Sequence, residues 1–463
     1  MKVEQLYTGC LAEAAYFIES AGEAAVIDPI REIEPYLKLA RERGVKIKYI
    51  FETHFHADFV SGHLDLSRAT GAPIVFGPTA KANFDFIEAK DGQIFEVGNV
   101  ALKVLHTPGH TPESMCLLLY DENGKEHAIF TGDTLFVGDV GRPDLLDGVI
   151  ISKEEQVSNL YDSLNKKIKT LPDDVIVYPG HGPGSLCGKS IGKETQSTIG
   201  REKMYNYALQ PMSREEFMKL ILEDQPPAPQ YFVKNAMINR MGYEPIDEVL
   251  ERNVRPLSVT ALELEAEAGA LILDTRNAND FAAGHIPNSM NIGLDGSYAV
   301  WVGTLVSDIK QRIVVVAEKG REREAILRLA RVGYENVAGY LEGGFDTWKN
   351  AGKPTATINC ISATELAEIY QPEMPILDVR RVNEFRNGHL PNAINIPLRD
   401  LEQNLHQLNP NQLYYVHCAG GYRSMIAASI LVRNGYHKVV NVNGGMDAIA
   451  KTQLPVVKEA KVA

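Results

Sequence analysis

The stretch KYIFETHFHADF (48–59) runs from an apolar, aromatic-rich segment straight into three side chains that bind metals, His54, His56 and Asp58. Such a run, closed by a polar turn, reads as a buried strand whose end carries chemistry. The pattern recurs along the first 180 residues. ALKVLHTPGH (101–110) ends on His110, HAIFTGD (127–133) on Asp133 and VIVYPGH (175–181) on His181. AAVIDP (24–29), APIVFG (72–77) and SMCLLLY (114–120) read as further strands. PYLKLARERG (35–44), with Gly44 as its stop, and EEQVSNLYDSLNKKIKTL (154–171) read as helices between them. One histidine says little, but four histidines and two aspartates at successive strand ends read as one metal site. Imidazole and carboxylate suit zinc and iron alike. Seven of the 12 histidines precede residue 182, which places that site in the first half.

The 463 residues predict about three domains. Hydrophobic residues are 44% and charged residues 23%, the composition of a globular chain and not of a disordered one. The net charge of −13 argues against a nucleic-acid partner, which needs a basic footprint. No apolar run approaches the ~18–20 residues of a membrane span. The N-terminal MKVEQLYTGCLAEAAYFIES lacks the pattern of a signal peptide. Five scattered cysteines do not make a disulfide framework, and the expected compartment is the cytoplasm.

Residues 182–255 read as the completion of the first domain and a link onward. REEFMKLILED (214–224) is helical and QPPAPQ (225–230) breaks it. Beyond lies an internal repeat. LILDTRNANDFAAGHIPNSMNI (271–292) matches ILDVRRVNEFRNGHLPNAINI (376–396). Asp274, Arg276, Phe281, Gly284, His285, Pro287, Asn288, Asn291 and Ile292 each recur 104 positions later. Asp274, Arg276, Asp378 and Arg380 read as structural residues at strand ends. The copies predict two βα domains of roughly 100 residues.

One thiol stands out. Cys418 lies in YYVHCAGGYRSMIAASILVRNG (414–435), where a strand turns through Gly420 and Gly421 into a helix. Backbone N–H groups and a helix N-terminus stabilise thiolate there, and Arg423 adds positive charge. The matching stretch of the first copy, AEKGRERE (317–324), has no cysteine, and Glu318 reads as the residue in its place. A carboxylate cannot carry sulfane sulfur, so that domain is expected to be catalytically silent. Cys116 reads as core, Cys187 as a passive loop thiol after His181, and Cys360 as part of an interdomain segment; Cys10 stays unassigned.

HxHxD, PGHT, TGD and PGH in this order resemble the metallo-β-lactamase superfamily, over about residues 1–240. The resemblance implies an αββα sandwich with its metal at one edge. Where that superfamily has HxHxDH, this chain has Phe59, which cannot coordinate. A two-metal hydrolase of the glyoxalase II type loses a ligand there, although a zinc hydrolase with one metal survives as the alternative. Within the superfamily the chain is similar to the persulfide dioxygenases, which also share the GRPD turn of TLFVGDVGRPDL (134–145). That similarity implies mononuclear Fe(II) on His54, His110 and Asp133, a facial set with open positions. It implies supporting or ligand roles for His56, Asp58 and His181, and substrate-side roles for Arg142, Arg201 and Lys203.

CxxGxRS, with LDVR, GHLPNAINIP and NGG, resembles the rhodanese sulfurtransferases over both repeats. The resemblance implies that Cys418 cycles between thiolate and persulfide, with Arg423, Gly420 and Gly421 around it. The expected layout is a metallo-β-lactamase domain (1–245), a cysteine-less rhodanese-like α/β domain (246–356) and a rhodanese domain (357–463), the last two with parallel sheets. The combination resembles persulfide dioxygenase–rhodanese fusions. It implies a low-molecular-weight thiol persulfide (of glutathione, coenzyme A or a similar thiol) and O₂ as substrates, sulfite and thiosulfate as products or sulfur donors, and a homo-oligomer.

Overall fold

The computed structural model describes residues 1–145, 151–223, 225 and 227–458. It divides into two compact units. One is Met1–Val249 with the short segment Ala330–Gly333, and the other is Leu250–Leu329 with the chain from Tyr334 on.

The first unit holds two six-stranded sheets. β1 (Lys2–Thr8), β2 (Glu13–Ser20), β3 (Glu23–Ile27), β4 (Lys46–Glu52), β5 (Ile74–Phe76) and β6 (Ile87–Glu88) form one, in sequence order. β7 (Ile94–Val97), β8 (Val100–His106), β9 (Met115–Tyr120), β10 (Glu126–Gly132), β11 (Ile176–Pro179) and β12 (Ser197–Thr198) form the other. The inner faces meet in one core. Tyr16, Ile18 and Phe51 of the first sheet pack with Phe95, Leu102, Leu117 and Phe130 of the second. On the outer face of the second sheet, Cys116, Leu118 and Ile129 pack with Val157, Leu160 and Leu164 of the segment that follows Ser152. Glu34–Arg43 and His63–Thr70 are the helices of the first sheet's side, with Tyr36 and Leu66 buried. This is the expected αββα sandwich. Strands enclosed on both faces read as continuous apolar runs, which is why MCLLLY and EHAIFTG were legible.

Some elements differ from the sequence expectation. The N-terminal hairpin β1–β2 lies in a stretch with no clear turn signal. The helix expected over 154–171 is α-helical over Lys153–Ser163 and widens to a π-helical turn over Leu164–Ile168. The helix expected over 214–224 spans Arg214–Leu222, capped by Ser213 and Glu216; position 224 lies outside the described residues. The segment read as the end of the first domain and a link contains three more α-helices among the described residues, Ile199–Tyr205, Tyr231–Met241 and Ile246–Asn253.

The second unit holds two five-stranded parallel sheets, one per repeat. The first comprises β13 (Pro256–Leu257), β14 (Leu271–Asp274), β15 (Met290–Asn291), β16 (Ile313–Val316) and β17 (Val337–Leu341), in the order β13-β17-β16-β14-β15. The second comprises β18 (Asn359–Ser362), β19 (Ile376–Asp378), β20 (Ile394–Asn395), β21 (Tyr414–His417) and β22 (Val439–Asn443), in the same relative order, β18-β22-β21-β19-β20. Cys360 is therefore part of an edge strand and not of a linker.

The recurring residues have matching structural work. Asp274 accepts from Arg276 Nε and Nη2 at 3.0 and 2.6 Å, and Arg276 Nη2 also reaches Gly284 O. Asp378, Arg380 and Gly388 repeat this at 3.0 and 2.5 Å. Phe281 stacks on His285 and Phe385 on His389, with ring centroids 4.0 and 3.7 Å apart. Asn288 and Asn392 take left-handed backbone at φ 64° and 59°, which asparagine tolerates in a turn. All five cysteines are free, and among the described residues no helix is long and apolar enough to cross a membrane.

Removing one partner of a buried ion pair strands the other charge. Asp274→Ala and Asp378→Ala should each destabilise by about 3–5 kcal/mol in chemical unfolding. Breaking the exposed Arg201–Glu194 pair with Glu194→Ala should leave the unfolding midpoint nearly unchanged.

Candidate metal centre and thiol loop

The ends of β4, β8 and β10 converge at one edge of the sandwich. The donor atoms of His54, His110 and Asp133 all lie within 4.8 Å of one another, and all three residues are buried. Asp133 Oδ2 is 3.8 Å from His54 Nε2 and 3.4 Å from His110 Nε2. None of these atoms has a hydrogen-bond partner among the described residues. Buried polar atoms without partners are costly, and a metal ion between them removes that cost.

The other ring nitrogens are tied down. Thr53 donates its amide and its hydroxyl to Asp28 at 2.7 and 2.8 Å, so its hydroxyl oxygen is free to accept from His54 Nδ1 at 3.0 Å. His110 Nδ1 donates to Arg142 O at 2.7 Å, and His181 Nδ1 to Ala12 O at 3.0 Å. Each such bond fixes the tautomer and aims the Nε2 lone pair inward. Burial, with the neighbouring histidines His56, His110 and His181, holds His54 well below the usual imidazole range; burial is also what lowers His110. Both rings are thus neutral, the form that binds metal. Asp28 sits at φ 50°, a left-handed conformation stored at the foot of the site.

A second set adjoins the first. The donor atoms of His56, Asp58 and His181 also lie within 4.8 Å of one another. Asp58 Oδ2 is 3.4 Å from His181 Nε2, which is 3.6 Å from Asp133 Oδ1. His56 Nε2, however, faces carboxylates, at 3.2 Å from Asp28 and 3.4 Å from Glu52. Burial opposes its charge, but Asp28 and Glu52 outweigh that and raise the ring well above its usual range. An imidazolium nitrogen has no lone pair to give. Phe59 is fully buried with its ring 4.4 Å from His56.

The structure corrects several expectations. Cys187 comes within the same 4.8 Å limit of Asp133 and His181, while burial, with Asp58 and Asp133, pushes its thiol well up, in keeping with a passive thiol. Arg142 does not face substrate with a free charge. It is buried, its guanidinium is paired with Asp144 at 2.7 and 2.8 Å, and its carbonyl is what orients His110. Arg201 and Lys203 are held by Glu194 and Asp173 on the surface and do not line the cavity beside the cluster. That cavity, about 270 Å³, is lined by Phe55, Ala57, Thr111, Lys81, Met237 and Arg240 among others. Sequence reading missed Asp28, Thr53 and the cavity helix Tyr231–Met241. The Asp-Pro ending of AAVIDP was the one available signal for Asp28.

In the second unit Cys418 is buried at the end of β21, and Gly421 N donates to its Sγ at 3.1 Å. The helix Tyr422–Arg433 starts there, with Gly421 at φ 104° as its cap. Arg423 pairs with Glu384 through two bonds of 2.7 Å, within electrostatic reach of Cys418. Met446 N and Asp447 N hold the carbonyls of Cys418 and Ala419. A Cβ at Gly445 would lie 2.3 Å from Cys418 O, which explains the second glycine of NGG. Gly420 has open space on its inner side, with Asp447 the nearest group at 3.7 Å.

The cysteine position of the first copy moves by one residue. Asp274 pairs with Val316 as Asp378 pairs with His417, and Gly344 would meet Ala317 O as Gly445 would meet Cys418 O. Ala317, not Glu318, therefore stands where Cys418 stands, and the turn to the following helix is one residue longer. A methyl side chain carries sulfur no better than a carboxylate.

Residues 8–181 match the Metallo-beta-lactamase superfamily, and 258–351 and 362–452 match the Rhodanese-like domain. The mitochondrial persulfide dioxygenase of Homo sapiens is 33% identical over 210 residues, 45% of this chain and 74% of that protein. A hydroxyacylglutathione hydrolase of Polaromonas is 30% identical over 269 residues, 50% of this chain and 97% of that protein. A crystal structure titled a metallo-beta-lactamase, from Staphylococcus aureus, superposes with a TM-score of 0.64 at 34% identity, covering 74% of this chain and 98% of that one. The chain belongs to the metallo-β-lactamase superfamily and carries two rhodanese-like domains after it, the arrangement of a persulfide dioxygenase–rhodanese fusion.

Gly180 tests the support of the donor set. Its backbone is ordinary, yet a Cβ would lie 2.8 Å from Asp133 Oδ1. Gly180→Ala should weaken metal binding about 10–100-fold by competitive chelation. Gly9→Ala, whose Cβ meets nothing within 4 Å, should leave it unchanged.

Proposed function

We propose that the protein oxidises low-molecular-weight thiol persulfides with O₂ at mononuclear Fe(II), and that Cys418 transfers the persulfide sulfur between thiol, sulfite and thiosulfate. The observation that carries this is the donor set: two imidazole nitrogens and one carboxylate oxygen on His54, His110 and Asp133, without hydrogen-bond partners among the described residues. Fe(II) held there supplies the redox chemistry with O₂ that zinc lacks.

The chain's own residues do the rest. Thr53, Ala12 and the Arg142 carbonyl hold the rings in the metal-binding tautomer. The apolar cavity beside Phe55 and Ala57 takes the organic part of the persulfide, and Lys81 and Arg240 meet its carboxylate or phosphate. The overall balance is RSSH, O₂ and water to RSH and sulfite. At the thiol loop, Cys418 persulfide gives its outer sulfur to sulfite, forming thiosulfate and restoring the thiol. The Gly421 amide and the helix N-terminus favour the thiolate leaving group. One chain raises the effective concentration of the shared intermediate.

A second reading, hydrolysis of a thioester at zinc, is favoured by the adjoining group of Asp58, His181 and His56 and by the hydrolase relative. Oxygen uptake on glutathione persulfide, read together with sulfite and thiosulfate, separates the two. The iron-loaded protein should consume O₂ and yield thiosulfate. His110→Ala should lower O₂ uptake by about 10³-fold or more, by loss of a ligand. Cys418→Ser should shift the oxidised product from thiosulfate to sulfite. Activity on a thioester with zinc and no O₂ uptake with iron would overturn the dioxygenase reading.

A further inference from the structure

The central domain keeps a rhodanese-like fold without a thiol, and its packing against the Cys418 loop is asymmetric in a way the repeat exposes. Tyr422, the first residue of the helix after Cys418, donates its hydroxyl to Gly293 O at 2.7 Å. Its ring lies flush on Gly296, where a Cβ would fall 2.4–2.9 Å from Cε2, Cζ and Cδ2. Neither Gly293 nor Gly296 has a positive φ, so at Gly296 it is the tyrosine ring, not the backbone, that excludes a side chain. Seven residues further along the same helix, Ser429 Oγ accepts from Asn291 N. Asn291 is in β15, the edge strand of the first repeat's sheet.

The repeat supplies an internal control. Leu294 N bonds to Thr275 O as Leu398 N bonds to Val379 O, so the 104-residue register holds here. In that register Gly293 and Gly296 correspond to Pro397 and Asp400. The helix that corresponds to Tyr422–Arg433 begins with Glu322. Both glycines thus occur in the copy that receives the tyrosine, and the tyrosine occurs in the copy that carries the thiol.

We infer that the cysteine-less domain is a positioning element for Cys418: its 293–296 turn clamps Tyr422 and so fixes the first turn of the helix whose capping amide holds the sulfur. Tyr422 directly follows Gly421, whose N–H points at Sγ. A shift of the ring therefore turns that amide away. Tyr422 and Gly296 act through the loop and are positioning residues. The inference rests on the reading of Cys418 as the sulfur-carrying thiol.

The test uses the full chain. Thiocyanate formation from thiosulfate and cyanide gives kcat. The pH dependence of Cys418 alkylation by iodoacetamide, followed by the mass of its peptide, reports the thiolate directly. Gly296→Val should lower kcat on the order of tenfold, the scale of a displaced catalytic group. It should also move the alkylation midpoint upward, because the thiolate loses its amide donor. Tyr422→Ala should do the same, and the double variant should add nothing, since both remove one contact. Tyr422→Phe keeps the ring and should stay within about threefold, the cost of one hydrogen bond. If Gly296→Val does not fold, Gly296→Ala is read in the same way. Wild-type kcat and midpoint in the glycine variant would overturn the inference, and so would additive losses with an unmoved midpoint. An inactive wild-type chain would instead overturn the reading of Cys418 itself.

Discussion

The first unit is organised around buried polar atoms that have no hydrogen-bond partner among the described residues. His54 Nε2, His110 Nε2 and Asp133 Oδ2 converge at one buried edge of the sandwich, with Asp133 Oδ1 turned to His181 Nε2. Such atoms are expensive unless something joins them. The surrounding contacts are arranged so that protein groups do not. Thr53, Arg142 O and Ala12 O take the outer ring nitrogens, and glycines at 141 and 180 press close to Asp133 where any side chain would collide. The result is two imidazoles and one carboxylate that are aimed and held in place before any ligand arrives.

The second unit solves a different problem with duplicated parts. Both repeats keep the buried Asp–Arg pair and the Phe–His stack, which hold the βα scaffold. They diverge where chemistry begins. One copy has Cys418 under the Gly421 amide, and the other has Ala317 and a longer turn. The divergence extends to the packing of Tyr422 on Gly296, so the cysteine-less copy has residues of its own that suit the copy carrying Cys418.

The sandwich and the two parallel sheets were legible because their strands are enclosed on both faces and read as apolar runs ending in turns. The metal donors were legible for the same reason, since each closes such a run. The repeat marked Asp274, Arg276, Asp378 and Arg380 as structural residues; their pairing, and the turns at Asn288 and Asn392, are seen only in the structure. What stayed hidden was set by tertiary approach. Asp28 and Thr53 reach His54 across β3 and β4, and Cys187 returns to Asp133 through a glycine-rich loop. Arg142 illustrates the converse: its place beside the site was visible in GRPD, but its guanidinium is spent on Asp144 and only its carbonyl serves the histidine. Glu318 was misplaced because a one-residue difference in turn length cannot be seen without the strand pairing.

We propose that the His54, His110 and Asp133 set holds a single redox metal, with Phe59 and the carboxylate-facing His56 limiting the neighbouring set. Elemental analysis of the anaerobically purified full-length protein tests this most directly. About one iron per chain is expected, lost in His110→Ala. Two zinc ions per chain, with iron neither retained nor supporting activity, would contradict it.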